Sequence, residues 1–165
     1  MHSFELPAIM KTERKDIFKE LGMDEYIWGN AFVFTFENSN ISLEDNRFSF
    51  LDKICKNEGW SELGDTWHSK SFEQCSELLL DSIEFDMAYS EARITPNEKA
   101  LEFHGKLLKG FTKNNSFCYS NWLNNHWRSR ENGSFWNSLT ENTFDLSTVF
   151  IKKNETLITC FRSED

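Results

Sequence analysis

The stretch FDLSTVFIKKNETLITCFR, residues 144–162, decides the fold. Its two halves, 144–152 and 156–162, are rich in β-branched and aromatic residues, which favour extended strands. The three residues between them include Asn154, and asparagine tolerates the left-handed conformation that tight connections use. The sequence therefore predicts a C-terminal β-hairpin.

Two further strands are predicted upstream of the hairpin. Residues 31–37 (AFVFTFE) place three phenylalanines on one face at a period of two, as a strand does. Residues 114–119 open with a turn signal and continue as a short strand. Residues 60–70 are expected to form an ordered loop, because Trp60 and Trp67 would be unfavourable in water.

Helix-start patterns place three main helices between these strands. The first runs over residues 43–57, and the second runs from Phe72 to about Ser90 behind an S-x-x-Q capping box at Ser71. The third begins after Thr95 with a proline in its first turn and ends at Gly110. Its leucines are expected to turn inward: Leu101, Leu107 and Leu108. Shorter helices are predicted over 13–21, capped by Thr12, and from Ser134 to Leu139.

This order of elements predicts a single α+β domain over residues 1–165. We expect a mostly antiparallel sheet that includes the C-terminal hairpin, with the three main helices packed on one face. The strands cluster late in the chain instead of alternating with helices, which disfavours a doubly wound parallel sheet.

Composition points to an acidic protein of the cytosol. The net charge is −9 and the isoelectric point is near 5.0, which disfavours binding to nucleic acid or to an anionic membrane and favours a basic protein partner. The first ten residues lack the pattern of a secretory signal, and no run approaches ~18 apolar residues. The four cysteines are therefore expected to be reduced thiols.

The acidic residues are concentrated in one segment. Residues 61–91 hold eight acids and one base, Lys70, so they carry −7 of the net charge. Four of these acids fall within roughly 80° on a helix: Glu73, Glu77, Asp81 and Glu84. Like charges four residues apart destabilise a helix by ~0.2–0.5 kcal/mol per pair, so this arrangement predicts an exposed face for a basic partner.

Apolar anchors for that partner are expected at Trp67 or Trp127. The Trp- and Arg-rich stretch 119–130 is an alternative interface, because tryptophan, tyrosine and arginine dominate binding hot spots. The pattern of residues leaves open which of the two surfaces is used, and it leaves the oligomeric state open as well.

Catalytic and metal-binding patterns are not evident in the sequence. It has no G-x-S-x-G, no phosphate-binding glycine loop and no dinucleotide fingerprint. Cys118 and His126 lack the further ligands of a zinc site, and one exposed helix face rarely encloses a hard cation. His68, beside Trp67, is the least constrained candidate acid or base. We therefore predict no catalytic residue, no metal and no cofactor.

The favoured function is stoichiometric inhibition of a basic protein. The concrete hypothesis is an immunity protein that neutralises a nuclease-type bacterial toxin by covering its phosphate-binding groove with carboxylates. One alternative is a small enzyme with a site near His68 or His126. Another is a phage-encoded or regulatory protein that mimics nucleic-acid charge.

Overall fold

A six-stranded antiparallel sheet forms the centre of the protein. The computed structural model describes residues 11–14, 19, 31–37, 43–86, 92–123, 136–141 and 144–163. The strands are β1 (Lys11–Glu13), β2 (Ala31–Glu37), β3 (His68–Lys70), β4 (Phe117–Ser120), β5 (Phe144–Ile151) and β6 (Glu155–Ser163). Their spatial order is β1-β2-β6-β5-β4-β3. The helices are α1 (Leu43–Asn57), α2 (Phe72–Glu84) and α3 (Asn97–Leu107). The predicted α+β class with an antiparallel sheet is confirmed.

The predicted C-terminal hairpin lies in the middle of the sheet. Strands β5 and β6 pair in register from Phe144 opposite Ser163 to Ile151 opposite Thr156. The Lys152 amide donates to the Glu155 carbonyl at 2.9 Å and closes the connection. Nearly every residue of both strands is buried, so the hairpin forms the central part of the core on which the other elements pack.

The helices divide between the two faces of the sheet, which corrects the expectation of one helical layer. Helices α2 and α3 cover the face that carries Leu146, Phe150 and Leu157. Helix α1 covers the opposite face, which carries Val149 and Ile158. The central strands place apolar side chains on both faces, and both must be shielded from water.

Strand β1 replaces the start of the helix predicted from Thr12. Lys11, Thr12 and Glu13 pair antiparallel with Phe36, Thr35 and Phe34. Hydrogen bonding along the open edge of β2 therefore outweighs the local capping signal, as tertiary context often does. Most of the remainder of that predicted helix lies outside the described residues.

The main helices begin close to their predicted residues. Helix α1 has the predicted bounds, and the capping box at Ser71 and Gln74 is present with both hydrogen bonds at 3.1 Å. Helix α2 stops at Glu84, because Phe85 is extended and pairs with Arg93.

Two further local predictions differ from the structure. Pro96, not Thr95, is the N-cap of α3, and no side chain makes a cap hydrogen bond there. Residues 136–139 form no helix, because Trp136 instead makes a bridge to Trp122 and stacks on its ring at 4.5 Å. Ser134 lies outside the described residues. Trp60 and Trp67 are buried as expected, in a segment that also contains a short 3-10 turn and β3.

Candidate functional site

Helix α2 separates its apolar and acidic residues across its two sides. The capping box fixes its first turn, and Cys75, Leu78 and Ile83 are buried against the sheet and α3. On the opposite side Glu73 and Glu77 are exposed, whereas Asp81 is half-buried. Two of the four predicted contact carboxylates are thus freely presented to solvent.

Glu84 does not belong to an exposed acidic face, which corrects the prediction for this residue. Only 5% of it is exposed, its carboxylate forms an ion pair with Arg93, and Asn97 Nδ2 donates to Oε1 at 2.9 Å. Its carbonyl accepts hydrogen bonds from the amides of Ile94 and Thr95 at 2.8 and 3.3 Å. The returning chain covers the last turn of α2, so Glu84 fastens the connection to α3.

The predicted anchor Trp67 is not available on this surface. Trp67 is only 4% exposed and packs in the core beneath α1, on the other side of the sheet from α2. Trp127 lies outside the described residues. Glu62 and Asp65 are exposed, but Glu62 precedes the 3-10 turn of the α1 layer and Asp65 lies within it. The described acids of residues 61–91 therefore do not form one continuous surface.

Two contacts fix how α3 lies beside α2. Near the start of α2, Ser76 Oγ is 2.9 Å from His104 Nε2, which lies near the end of α3. At the end of α2, Glu84 accepts a hydrogen bond from Asn97, the first residue of α3. The helices are therefore antiparallel, and this register brings Leu101 beside the middle of α2. Sequence reasoning placed Leu101 inward, but it is 49% exposed, because Ala100, Phe103 and Leu107 already fill the inward stripe.

The outer surface of this two-helix layer is acidic with an apolar centre. Glu98 and Glu102 are exposed on α3 and lie opposite its buried stripe. At ~100° per residue, Lys99 and Lys106 fall on the flank of α3 away from His104 and α2. We define the acidic helical surface as Glu73, Glu77, Glu98, Leu101 and Glu102. This arrangement attracts cationic groups and offers one apolar contact.

The contact between Ser76 and His104 resembles a nucleophile and its base, but its geometry is structural. His104 Nε2 also lies 3.0 Å from the Ser76 carbonyl, and a carbonyl oxygen only accepts hydrogen bonds. Nε2 therefore carries the hydrogen and does not take the proton of the Ser76 hydroxyl. Burial lowers the pKa of His104 from its ordinary value of 6.5, despite the opposing effect of the Ser76 carbonyl.

The remaining candidate acid–base and metal-binding residues are placed as follows. His68 is half-buried on the edge strand β3, and burial together with the charge of Lys70 lowers its pKa. His126 lies outside the described residues. Cys118 packs in the core against α2. Within the described part of the chain, no group of three or more His, Cys, Asp or Glu residues is arranged to hold a metal ion.

The buried thiols are poor nucleophiles. All four cysteines are buried and unbonded to one another. Burial raises the pKa of Cys75 and of Cys160 well above the ordinary range, and it raises that of Cys55 to about 12. Because the thiolate is the reactive form, these side chains act as small apolar core residues.

Asp145 is a buried carboxylate whose hydrogen bonds are structural. It accepts from Asn121 Nδ2 at 2.8 Å, from the Leu139 amide at 3.2 Å and from the Thr140 amide and hydroxyl, each at 2.9 Å. This network ties residues 137–140 and Asn121 to the start of β5. With its oxygens so occupied, Asp145 is a structural anchor.

Over the described ranges, no helix combines the length and apolarity that crossing a membrane requires. Comparison with protein-family models, with curated proteins and with solved structures finds no match to the chain.

Proposed function

We propose that the protein is a stoichiometric inhibitor that binds a basic partner, and that it acts in the cytoplasm as an immunity protein against a nuclease-type bacterial toxin. The observation that carries this proposal is the acidic helical surface. It combines four exposed carboxylates, two on each helix, with the exposed side chain of Leu101. The lysines of α3 lie on its flank away from Glu73 and Glu77, and Lys106 is one turn from Glu102.

The geometry supports binding instead of chemistry. A nuclease presents cationic side chains to the phosphates of its substrate. Carboxylates on a fixed two-helix layer complement such a groove, speed the encounter and disfavour acidic competitors. Leu101 would supply the desolvated contact, since interface energy is concentrated in a few centrally buried side chains.

The rigid base of this layer favours the same role. The capping box fixes the first turn of α2, and the contact between Ser76 and His104 and the ion pair of Glu84 tie α2 to α3 and to the chain between them. Buried residues of both helices pack on the sheet. A surface that is held in place before binding loses little conformational entropy on association. The carboxylates thus meet the partner already in position.

The test begins with capture of the partner on the immobilised chain, followed by an activity assay. The proposal predicts a basic protein that cleaves nucleic acid, and cleavage should stop at one equivalent of the inhibitor. A Glu73→Lys/Glu77→Lys variant should inhibit poorly. A Glu62→Lys/Asp65→Lys variant makes the same change of charge in the α1 layer and should inhibit fully.

Three results would contradict the proposal: a captured partner that is acidic, full inhibition by the Glu73→Lys/Glu77→Lys variant, or equal loss in both variants. A captured nucleic-acid-handling protein without toxic activity would instead support the charge-mimic alternative.

A further inference from the structure

Helix α3 contains a glycine that its own packing does not require. Gly105 lies inside the helix and is exposed. Glycine destabilises the interior of a helix relative to alanine, because it loses more backbone freedom on folding. In the described part of the chain, a Cβ on Gly105 would meet nothing within 4 Å beyond the backbone of its own helix. Alanine would therefore fit, and glycine leaves the backbone of α3 open to close approach from outside.

Gly105 lies near the groove between α2 and α3. Asn97 and His104 mark the side of α3 that contacts α2. At ~100° per residue, Leu101 lies within roughly 60° of both, on the outward side, and Gly105 lies roughly 40° further outward. The buried stripe of α3 faces away from this side. Leu101 and Gly105 are therefore successive turns along the outer edge of the groove.

Leu80 lies across the groove from Leu101. It is half-buried at the edge of the apolar core and lies one turn after Ser76, on the side of α2 that contacts α3. The two contacts that fix the antiparallel register of the helices put residue 80 level with residue 101. We define the leucine groove as Leu80, Leu101 and Gly105. It presents apolar surface to solvent beside an open stretch of helix backbone.

Acidic rows lie on both sides of the leucine groove. Glu73 and Glu77 on α2, and Glu98 and Glu102 on α3, are exposed and lie outward of the leucine of their own helix. Helix α2 contains no basic residue, whereas Lys106 lies one turn from Glu102 on α3. The two rows repel a second copy of the chain, a nucleic acid and an anionic membrane, and they attract a cationic protein segment.

We propose that the leucine groove takes one apolar side chain of the basic partner, from a segment whose backbone passes directly over Gly105. Basic residues next to that side chain then reach the acidic rows. This inference rests on the proposed function and names the segment that the acidic helical surface recognises. Charge alone attracts any basic protein, whereas an apolar side chain between Leu80 and Leu101 adds selection by shape. A side chain at position 105 would hold the segment away from both leucines.

The experiment measures fluorescence anisotropy with two labelled helical peptides of alanine and lysine, one with a central leucine and one with glutamine in its place. The full chain should bind the leucine peptide at least about fivefold more tightly. Leu101→Gln should remove this preference, and Gly105→Gln should weaken binding of the leucine peptide at least about fivefold. Ser49→Gln places the same side chain at an exposed position of α1 and should leave binding within about twofold.

Thermal unfolding separates loss of the groove from loss of the fold. Glutamine favours a helix more than glycine does, so Gly105→Gln should unfold at a higher temperature than the unaltered chain. Weaker binding by a more stable variant then reflects the blocked approach to α3. A lower unfolding temperature for Gly105→Gln would show that the fold itself needs this glycine, and would overturn the inference.

Other outcomes would overturn the groove and leave the acidic helical surface in place. These are equal binding of the two peptides, tight binding retained by Gly105→Gln, or equal weakening by Ser49→Gln. Absence of binding by both peptides would also overturn it. Self-association that Gly105→Gln abolishes in sedimentation would show that the groove holds a second copy instead. Inhibition of the captured partner, and its loss in Glu73→Lys/Glu77→Lys, tests the proposed function separately.

Discussion

Glu84, the last residue of α2, forms an ion pair with Arg93 nine residues later, and this pair closes the chain over the end of the helix. The Arg93 guanidinium also lies 4.9 Å from the centre of the Phe85 ring, so its position is defined from two sides. An acid that helical periodicity assigns to the binding face is therefore a structural residue.

Replacing Glu84 should destabilise the fold without removing a contact for the partner. Glu84→Ala leaves Arg93 and Asn97 without their buried acceptor, and we expect a loss of about 1–3 kcal/mol in the free energy of unfolding. Glu77→Ala, at an exposed position of the same helix, should change it by less than about 0.5 kcal/mol. Urea unfolding measures both, and equal values for the two variants would contradict the assigned role of Glu84.

The sequence predicts Trp67 as a binding anchor and Leu101 as a core residue. The structure predicts the reverse: Trp67 should matter for stability and Leu101 for binding. Trp67→Ala removes a buried ring from the core beneath α1 and should lower the free energy of unfolding by about 3–5 kcal/mol. Leu101→Ala should lower it by less than about 1 kcal/mol, since the side chain is half-exposed. Thermal unfolding distinguishes the two variants. Binding assays should show the converse, with partner affinity reduced by Leu101→Ala.

The elements that sequence predicted well depend on local chemistry. Alternating phenylalanines specify β2, and β-branched and aromatic residues specify the hairpin of residues 144–162. The reciprocal hydrogen bonds of Ser71 and Gln74 specify the start of α2. The bounds of α1 follow from its helix-start pattern. In each of these segments the local preference and the tertiary environment favour the same conformation, so the local sequence is enough to predict it.

The wrong predictions concern residues whose surroundings are set by distant segments of the chain. The helical or strand period of a residue's own segment carries no information about those contacts. Periodicity gives the angular position of Glu84 but not the return of residues 92–97 over it. It treats Leu101 as apolar and inward although Ala100 and Phe103 already fill the interface. The pairing of Thr12 with β2 and the placement of α1 on the opposite face both require knowledge of the sheet order.

His104 makes the stability of the helical layer dependent on pH. Burial lowers its pKa below the ordinary value of 6.5, so in the window between the two values the unfolded chain binds more protons than the folded one. The free energy of unfolding should therefore fall as the pH falls from about 6.5 toward the folded-state pKa. His104→Gln keeps a side-chain N–H for the Ser76 carbonyl and should show a shallower dependence.

Urea unfolding at a series of pH values measures this difference. His68 also has a lowered pKa and contributes with the same sign in both proteins, so the difference between the two curves isolates His104. Parallel curves for the unaltered chain and His104→Gln would show that His104 is not responsible.

The rate of association with the captured basic partner, measured by stopped flow over a range of salt concentrations, tests the central claim most directly. Electrostatic attraction to the acidic helical surface predicts a rate that falls by about tenfold or more between low and high salt. It also predicts a slower and flatter curve for Glu73→Lys/Glu77→Lys, with Glu62→Lys/Asp65→Lys close to the unaltered chain. A rate that ignores salt, or one that both variants reduce equally, would contradict binding through α2 and α3.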